Sequence, residues 1–297
     1  MTLSEAKAII MGFEADPDCL SDEDFFLYTE AMGVAIQKTQ SPLYMMELGG
    51  AYYSRREYDL ALKYYEMAAA LGYESAILGL GYIWYYGRTG TVDYEKAFGY
   101  FSALPDDLNA RYKVADMYKN GYFVAKDYEK YKQIIEQLYK EARRLSNPNS
   151  PLPEITLRLA GIRAAQGREE EAILLYLRAK KLLVRRLTEN PFFGNLSIMK
   201  RIVRELYAVR KQYPGKLDLS AIDLYDLFEL FREPCRVTFL YIGEEHYAAA
   251  TREDGRMVIE FDGRWYQSVD DFFEKAEIDG ERLTSLAPAL QNITATL

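Results

Sequence analysis

One pattern recurs in this chain at the length of a helical hairpin. Leu48-Gly49 is followed by Tyr52, Ala61, Tyr65 and Ala68, and Leu159-Ala160 is followed at the same offsets by Arg163, Ala172, Tyr176 and Ala179. Between them, Leu80-Gly81, Trp84, Gly87 and Asp93-Tyr94-Glu95-Lys96 return 34 residues later as Val114-Ala115, Tyr118, Gly121 and Asp127-Tyr128-Glu129-Lys130. A pattern of this length at a fixed period implies units that pack mainly on their neighbours, so stacked helical pairs are expected. Such stacking frees a 297-residue chain from the size at which one compact core stops growing.

The spacing predicts an N-terminal cap over 1–40: a short helix opened by Ser4-Glu5-Ala6-Lys7, a break at Asp16-Pro17, and a second helix started by the capping box Ser21-Asp22-Glu23-Asp24. Repeats follow near 42–72, 75–104, 109–145 and 154–190, with further helices at about 196–212 and 220–231 (Ser220 as cap), making a helical domain over 41–232. Pro42 suits a first helical turn, and Asp93 and Asp127 sit where N-caps belong. The proline-rich run from Ser146 to Pro153 reads as a loop. From Glu233 the period changes to short β-branched and aromatic runs separated by Gly243-Glu244-Glu245, Asp254-Gly255 and Asp262-Gly263. Ser268 then caps a helix holding Phe272, Phe273 and Ala276. The expectation for 233–297 is a small antiparallel meander plus helix, burying one face against the last helices before it.

The repeat residues resemble the tetratricopeptide and Sel1-like families. Leu48-Gly49, Tyr52, Ala61, Tyr65 and Ala68 follow the first pattern; Leu80-Gly81, Trp84, Gly87, Gly90, Val92 and Asp93-Tyr94-Glu95-Lys96-Ala97 follow the second. Two departures stand out: Tyr131 where a small residue is expected and Arg163 at an aromatic position. The resemblance covers roughly 40–180 and implies a mainly α fold, an α–α superhelix, with the C-terminal β-meander module appended. It also implies a concave groove formed by the first helix of each repeat. The groove residues would be Leu43, Met46 and Tyr53; Leu78, Tyr82, Tyr85 and Tyr86; Tyr112, Asp116, Lys119 and Asn120; then Leu157 and Ala164. Rings supply contact area and the polar groups fix register, which suits a protein or peptide partner. Tyr85 and Tyr112 are expected to be replaceable without loss of fold, whereas Trp84, Tyr52 and Tyr65 read as packing between helices.

Charge and chemistry narrow the function classes. The net charge is −8, yet 178–211 carries ten Lys and Arg against two Glu. Arg178, Lys181, Arg185, Lys200 and Arg204 form a candidate patch for an acidic partner or nucleic acid, though outer faces of two amphipathic helices, or pairing with the chain's own acidic parts, account for it better. A pI near 5.0 and the absence of a recognition motif argue against nucleic acid. With a single histidine, His246, no multi-histidine metal site forms, and His246 reads as an exposed strand residue. No nucleophile-elbow, zincin, paired Cys or P-loop motif occurs. Asp16 and Asp18 with Asp22-Glu23-Asp24 lack the glycine of a calcium loop. Cys19 and Cys235 fit no disulfide or metal spacing. No signal peptide and no membrane-length apolar stretch is evident, and a cytoplasmic setting is expected. No cofactor is expected. The leading reading is a non-enzymatic scaffold that binds a protein or peptide. Two alternatives stay open: a C-terminal module that binds a small ligand or catalyses, and a basic face that grips an acidic partner.

Overall fold

The structure is a computed structural model and describes residues 1–13, 20–145, 147, 150–189, 192–212 and 222–296. It contains two compact units, Met1–Leu138 and Tyr139–Leu297. The division falls inside the segment expected to form one helical domain over 41–232.

The first unit is a run of helices whose ends follow local chemistry. Helices α1 (Leu3–Gly12) and α2 (Asp22–Thr39) form the N-terminal pair. Thr2, unremarked in the sequence, caps α1 in a reciprocal box with Glu5, and Ser21 caps α2 by accepting from the Asp24 amide. Then come α3 (Pro42–Ser54) and α4 (Tyr58–Ala70), α5 (Glu74–Tyr86) and α6 (Tyr94–Ser102), α7 (Leu108–Asn120) and α8 (Tyr128–Ala142), whose last turn lies past the end of this unit. The longer second and third turns arise as expected. Gly87 and Gly121 end α5 and α7 with φ of 59° and 74°, a left-handed geometry that costs glycine nothing. Asp93 and Asp127 accept from the Lys96 and Lys130 amides to start the next helices. One core holds Phe25, Tyr28, Met32, Leu48, Tyr65 and Leu80; another holds Ala97, Phe101, Leu104, Ala110 and Met117.

In the second unit, α9 (Leu152–Ala165), α10 (Glu169–Glu189) and α11 (Phe193–Gln212) precede a 3-10 turn (Leu224–Asp226) and the short α12 (Leu227–Leu230). Ser220 lies outside the described residues. The described cap in this region is Asp223, in a box with Asp226, so the helix expected over 220–231 is reduced to these two turns. Strands β1 (Cys235–Tyr241), β2 (Glu244–Glu253), β3 (Arg256–Phe261) and β4 (Arg264–Tyr266) form the expected meander, followed by α13 (Val269–Lys275) capped by Ser268. A ribbon, β5 (Glu277–Ile278) and β6 (Glu281–Arg282), leads through α14 (Leu283–Leu286) to β7 (Gln291–Thr296). The last strand pairs with β1, so the sheet runs β4-β3-β2-β1-β7, antiparallel throughout. Its inner face, with Val237, Phe239, Ala248, Ala250, Ile259 and Phe261, shares one core with Leu183 and Leu187 of α10, Leu206 of α11 and Phe272 of α13.

Four X-Gly turns share one backbone form. Asp254, Asp262 and Asp279 have φ of 46°, 45° and 53°, and Ile242 has φ of 50°, each followed by a positive-φ glycine. Asp tolerates this region, whereas a β-branched residue there costs about 1–2 kcal/mol. Ile242 is 82% exposed, so burial does not offset that strain. Ile242→Asn is therefore expected to stabilise the second unit by about 1 kcal/mol. A fall in the denaturation midpoint would refute this.

Candidate functional site

The tyrosines of the first unit form a connected band, built around two of the protein's own cations. Tyr82, Tyr85 and Tyr86 lie at helical spacing on α5, and Lys113 follows Tyr112 on α7. The Lys113 ammonium lies 5.4, 4.6, 4.5 and 5.5 Å from the ring centres of Tyr82, Tyr85, Tyr86 and Tyr112, and donates to the Tyr86 hydroxyl. Farther along, the Arg88 guanidinium lies 5.7, 5.3 and 4.9 Å from the Tyr53, Tyr58 and Tyr86 rings and donates to Tyr53 Oη at 3.1 Å. Each ring offers its negative face to a cation, an attraction that strengthens as water is excluded. Burial pushes the Tyr53 phenol up, against the pull of Arg88.

Burial divides the expected groove residues. Tyr86 is 46% exposed and Asn120 is exposed, while Tyr53, Leu78, Tyr82, Tyr85 and Lys119 are half-buried. Tyr112 and Asp116 are buried, at 5% and 7%. Tyr112 Oη lies 3.4 Å from Tyr82 Oη, and Asn120 donates to the Asp116 carbonyl at 2.8 Å. Tyr112 is thus part of the packing between repeats, and the expectation that its replacement spares the fold is corrected. Lys119 lies over the buried Tyr131 ring, which shows where the larger residue of the third repeat goes. Leu157 is buried in the core of the second unit, with Ala164 packed against that core. Leu43 is exposed and Met46 half-buried. Lys113, Arg88 and Tyr58 were missed by the sequence reading. Their signal was the clustering of Tyr at i, i+3 and i+4 beside unpatterned cations.

The basic segment of the second unit is partly neutralised internally. Lys200 bonds Asp270 at 2.8 Å, Arg201 bonds Glu205 at 2.7 Å, and Arg186 bonds the buried Glu154 at 2.6 Å. Arg185 lies 3.5 Å from Glu189, whereas Arg178, Lys181 and Arg204 are exposed. Lys180 is not on a face at all: it is 6% exposed and bonds Asp226 at 2.8 Å and Asp223 at 2.9 Å. The side chain of Lys211 lies outside the described set.

His246 departs from its expected exposed position. Pairing of Phe239 with His246 puts the imidazole on the core side of the sheet, stacked on Phe239 at 5.7 Å with Nδ1 2.6 Å from Asp262. Among the described residues, no group of three or more His, Cys, Asp or Glu is placed to hold a metal ion. Asp16, Asp18 and Cys19 lie outside them. Cys235 is buried, which pushes its thiol up. No helix among the described residues is long and apolar enough to cross a membrane.

No protein-family model and no curated protein matches the chain. Solved structures do. A protective antigen of uropathogenic Escherichia coli strains, displaying an SLR fold, aligns over 78% of this chain and 53% of its own length, with TM-score 0.42 and 16% identity; the chain thus spans about half of that protein. A Sel1 repeat protein from Oxalobacter formigenes aligns over 73% of this chain and 81% of its own, with TM-score 0.45 and 20% identity. The chain is a run of helical hairpins closed by an antiparallel sheet, and it is similar to these solved Sel1-like repeat structures.

Proposed function

We propose that the chain is a non-enzymatic, cytoplasmic scaffold whose first unit binds a segment of another protein across the tyrosine band. The observation that carries this is the band itself. Rings from α3, α5 and α7 are held in place by Arg88 and Lys113, and Tyr86 and Asn120 remain open to solvent. Rings fixed in advance lose little freedom on binding.

The test is affinity capture from the source organism with wild-type protein and with Tyr86→Ala/Asn120→Ala. Tyr86→Ala also removes an acceptor of the buried Lys113 ammonium, so thermal unfolding of the variant is measured beside its capture. An anchor tyrosine at an interface contributes about 2 kcal/mol or more, so roughly 30-fold weaker capture is expected. Equal capture by a folded double variant would sink the reading.

A further inference from the structure

Helix α10 leaves one side to solvent. Leu174 is 67% exposed and Leu177 38%, and no other helix of the second unit leaves a large apolar side chain exposed among the described residues. Glu170 and Lys181 are exposed on the same helix. These four residues are spaced by four, three and four positions, so they form one stripe along an unbroken helix. Its order is acid, leucine, leucine, base. Beside the stripe Glu171 and Arg178 are also exposed, and Glu171 holds Arg168 at 2.7 Å. The opposite side of α10, with Ala172, Tyr176, Ala179, Leu183 and Leu187, is buried in the core of the unit.

Acids in the first turn and bases in the last complement the helix dipole, which accounts for Glu169, Glu170 and Glu171 and for Arg186. It does not account for two exposed leucines, nor for Arg178 and Lys181 in the middle of the helix. Turned end for end, the stripe meets itself with acid against base and leucine against leucine. We propose that α10 docks on α10 of a second copy of this chain, antiparallel about a two-fold axis between Leu174 and Leu177. Leu174 of each copy then meets Leu177 of the other, and Glu170 of each meets Lys181 of the other, a self-complementary contact of the kind two-fold dimers use. Glu171 and Arg178 stand at the flanking positions that face each other across such a pair, again acid to base. A parallel arrangement would set Glu170 on Glu170 and Lys181 on Lys181, which like-charge repulsion disfavours. The stripe spans roughly 16 Å at a rise of about 1.5 Å per residue. That is short for an interface of the standard ~1,200–2,000 Å², so the dimer is weak, with Kd on the order of 100 μM. The surface is separate from the tyrosine band and stands independently of it.

The experiment is sedimentation equilibrium of the full chain, loaded from about tenfold below to about tenfold above that Kd. A monomer–dimer equilibrium is expected. Leu174→Lys should weaken it about tenfold or more, and so should Glu170→Lys or Lys181→Glu, each of which sets like charges together twice per dimer. An equimolar mixture of the Glu170→Lys and Lys181→Glu chains should associate as tightly as wild type, because both of its cross-pairs are again acid on base. That recovery also shows that each variant is folded. A chain that stays monomeric throughout would leave the face to a different protein and overturn the proposal. So would a dimer indifferent to Leu174→Lys, or a mixture no tighter than its two components.

Discussion

Replacing Lys180 with methionine is expected to destabilise the second unit by about 3–5 kcal/mol, the cost of leaving a buried carboxylate without its cation. The side chain is 8% exposed and Asp226, its partner at 2.8 Å, is 6% exposed. Asp226 also accepts from the Asp223 amide at 2.9 Å. It raises the Tyr207 phenol as well, after burial, through its charge and a hydrogen bond. Removing only the lysine leaves that carboxylate desolvated beside a second one, Asp223. Adding Asp226→Asn removes the charge and keeps an acceptor, so the double variant should recover more than half of the loss. Urea unfolding read by amide exchange in peptides from 169–189 and 224–231 measures both. A cost below about 1 kcal/mol for the single variant would mean that water reaches the pair.

The second large effect lies in the first unit, where Tyr65 is held between two glycines. A Cβ on Gly49 would stand 2.6 Å from Tyr65 Cδ1, and a Cβ on Gly79 would stand 2.7 Å from Cε2 on the other side of the ring. Pinned from α3 and from α5, the ring has no free direction in which to yield. Gly49→Ala and Gly79→Ala are each expected to cost about 1–3 kcal/mol by overpacking. Gly33 in α2 is the control: nothing lies within 4 Å of its Cβ position, so alanine there should stabilise by about 0.5–1 kcal/mol. Trp84 is the tryptophan of the first unit, and its emission in a Trp265→Phe background follows that unit alone. If Gly79→Ala and Gly33→Ala shift the midpoint alike, the packing argument fails. Tyr65→Leu should relieve most of the Gly79→Ala penalty, since the two changes act through one contact.

Much of the architecture was legible because it rests on short-range chemistry. The Ser21, Asp93, Asp127 and Ser268 caps and the Asp-Gly turns each depend on residues a few positions apart, and the structure has them as expected. The strand β7 was not legible. Gln291–Thr296 carries little signal alone, and it becomes a strand only because the edge of β1 accepts it. His246 was misplaced for the same reason: its side follows from register with Phe239, which local pattern leaves open. Among the candidate site residues, the tyrosines were found by position, but which of them face solvent was not.

Taken alone, the amino-acid order determined where most helices of the repeats start and stop, and that the period changes after residue 232. Those are decisions made within one hairpin. Which charges are buried was decided only by tertiary packing: Lys180 looks like one more cation of a basic face until the turn holding Asp226, 46 residues away, closes over it. Lys113 likewise reads as a surface lysine until rings from α5 and α7 surround it. The dielectric around a charge is set by whatever the fold brings near it, and that neighbourhood is written in no local window of the chain.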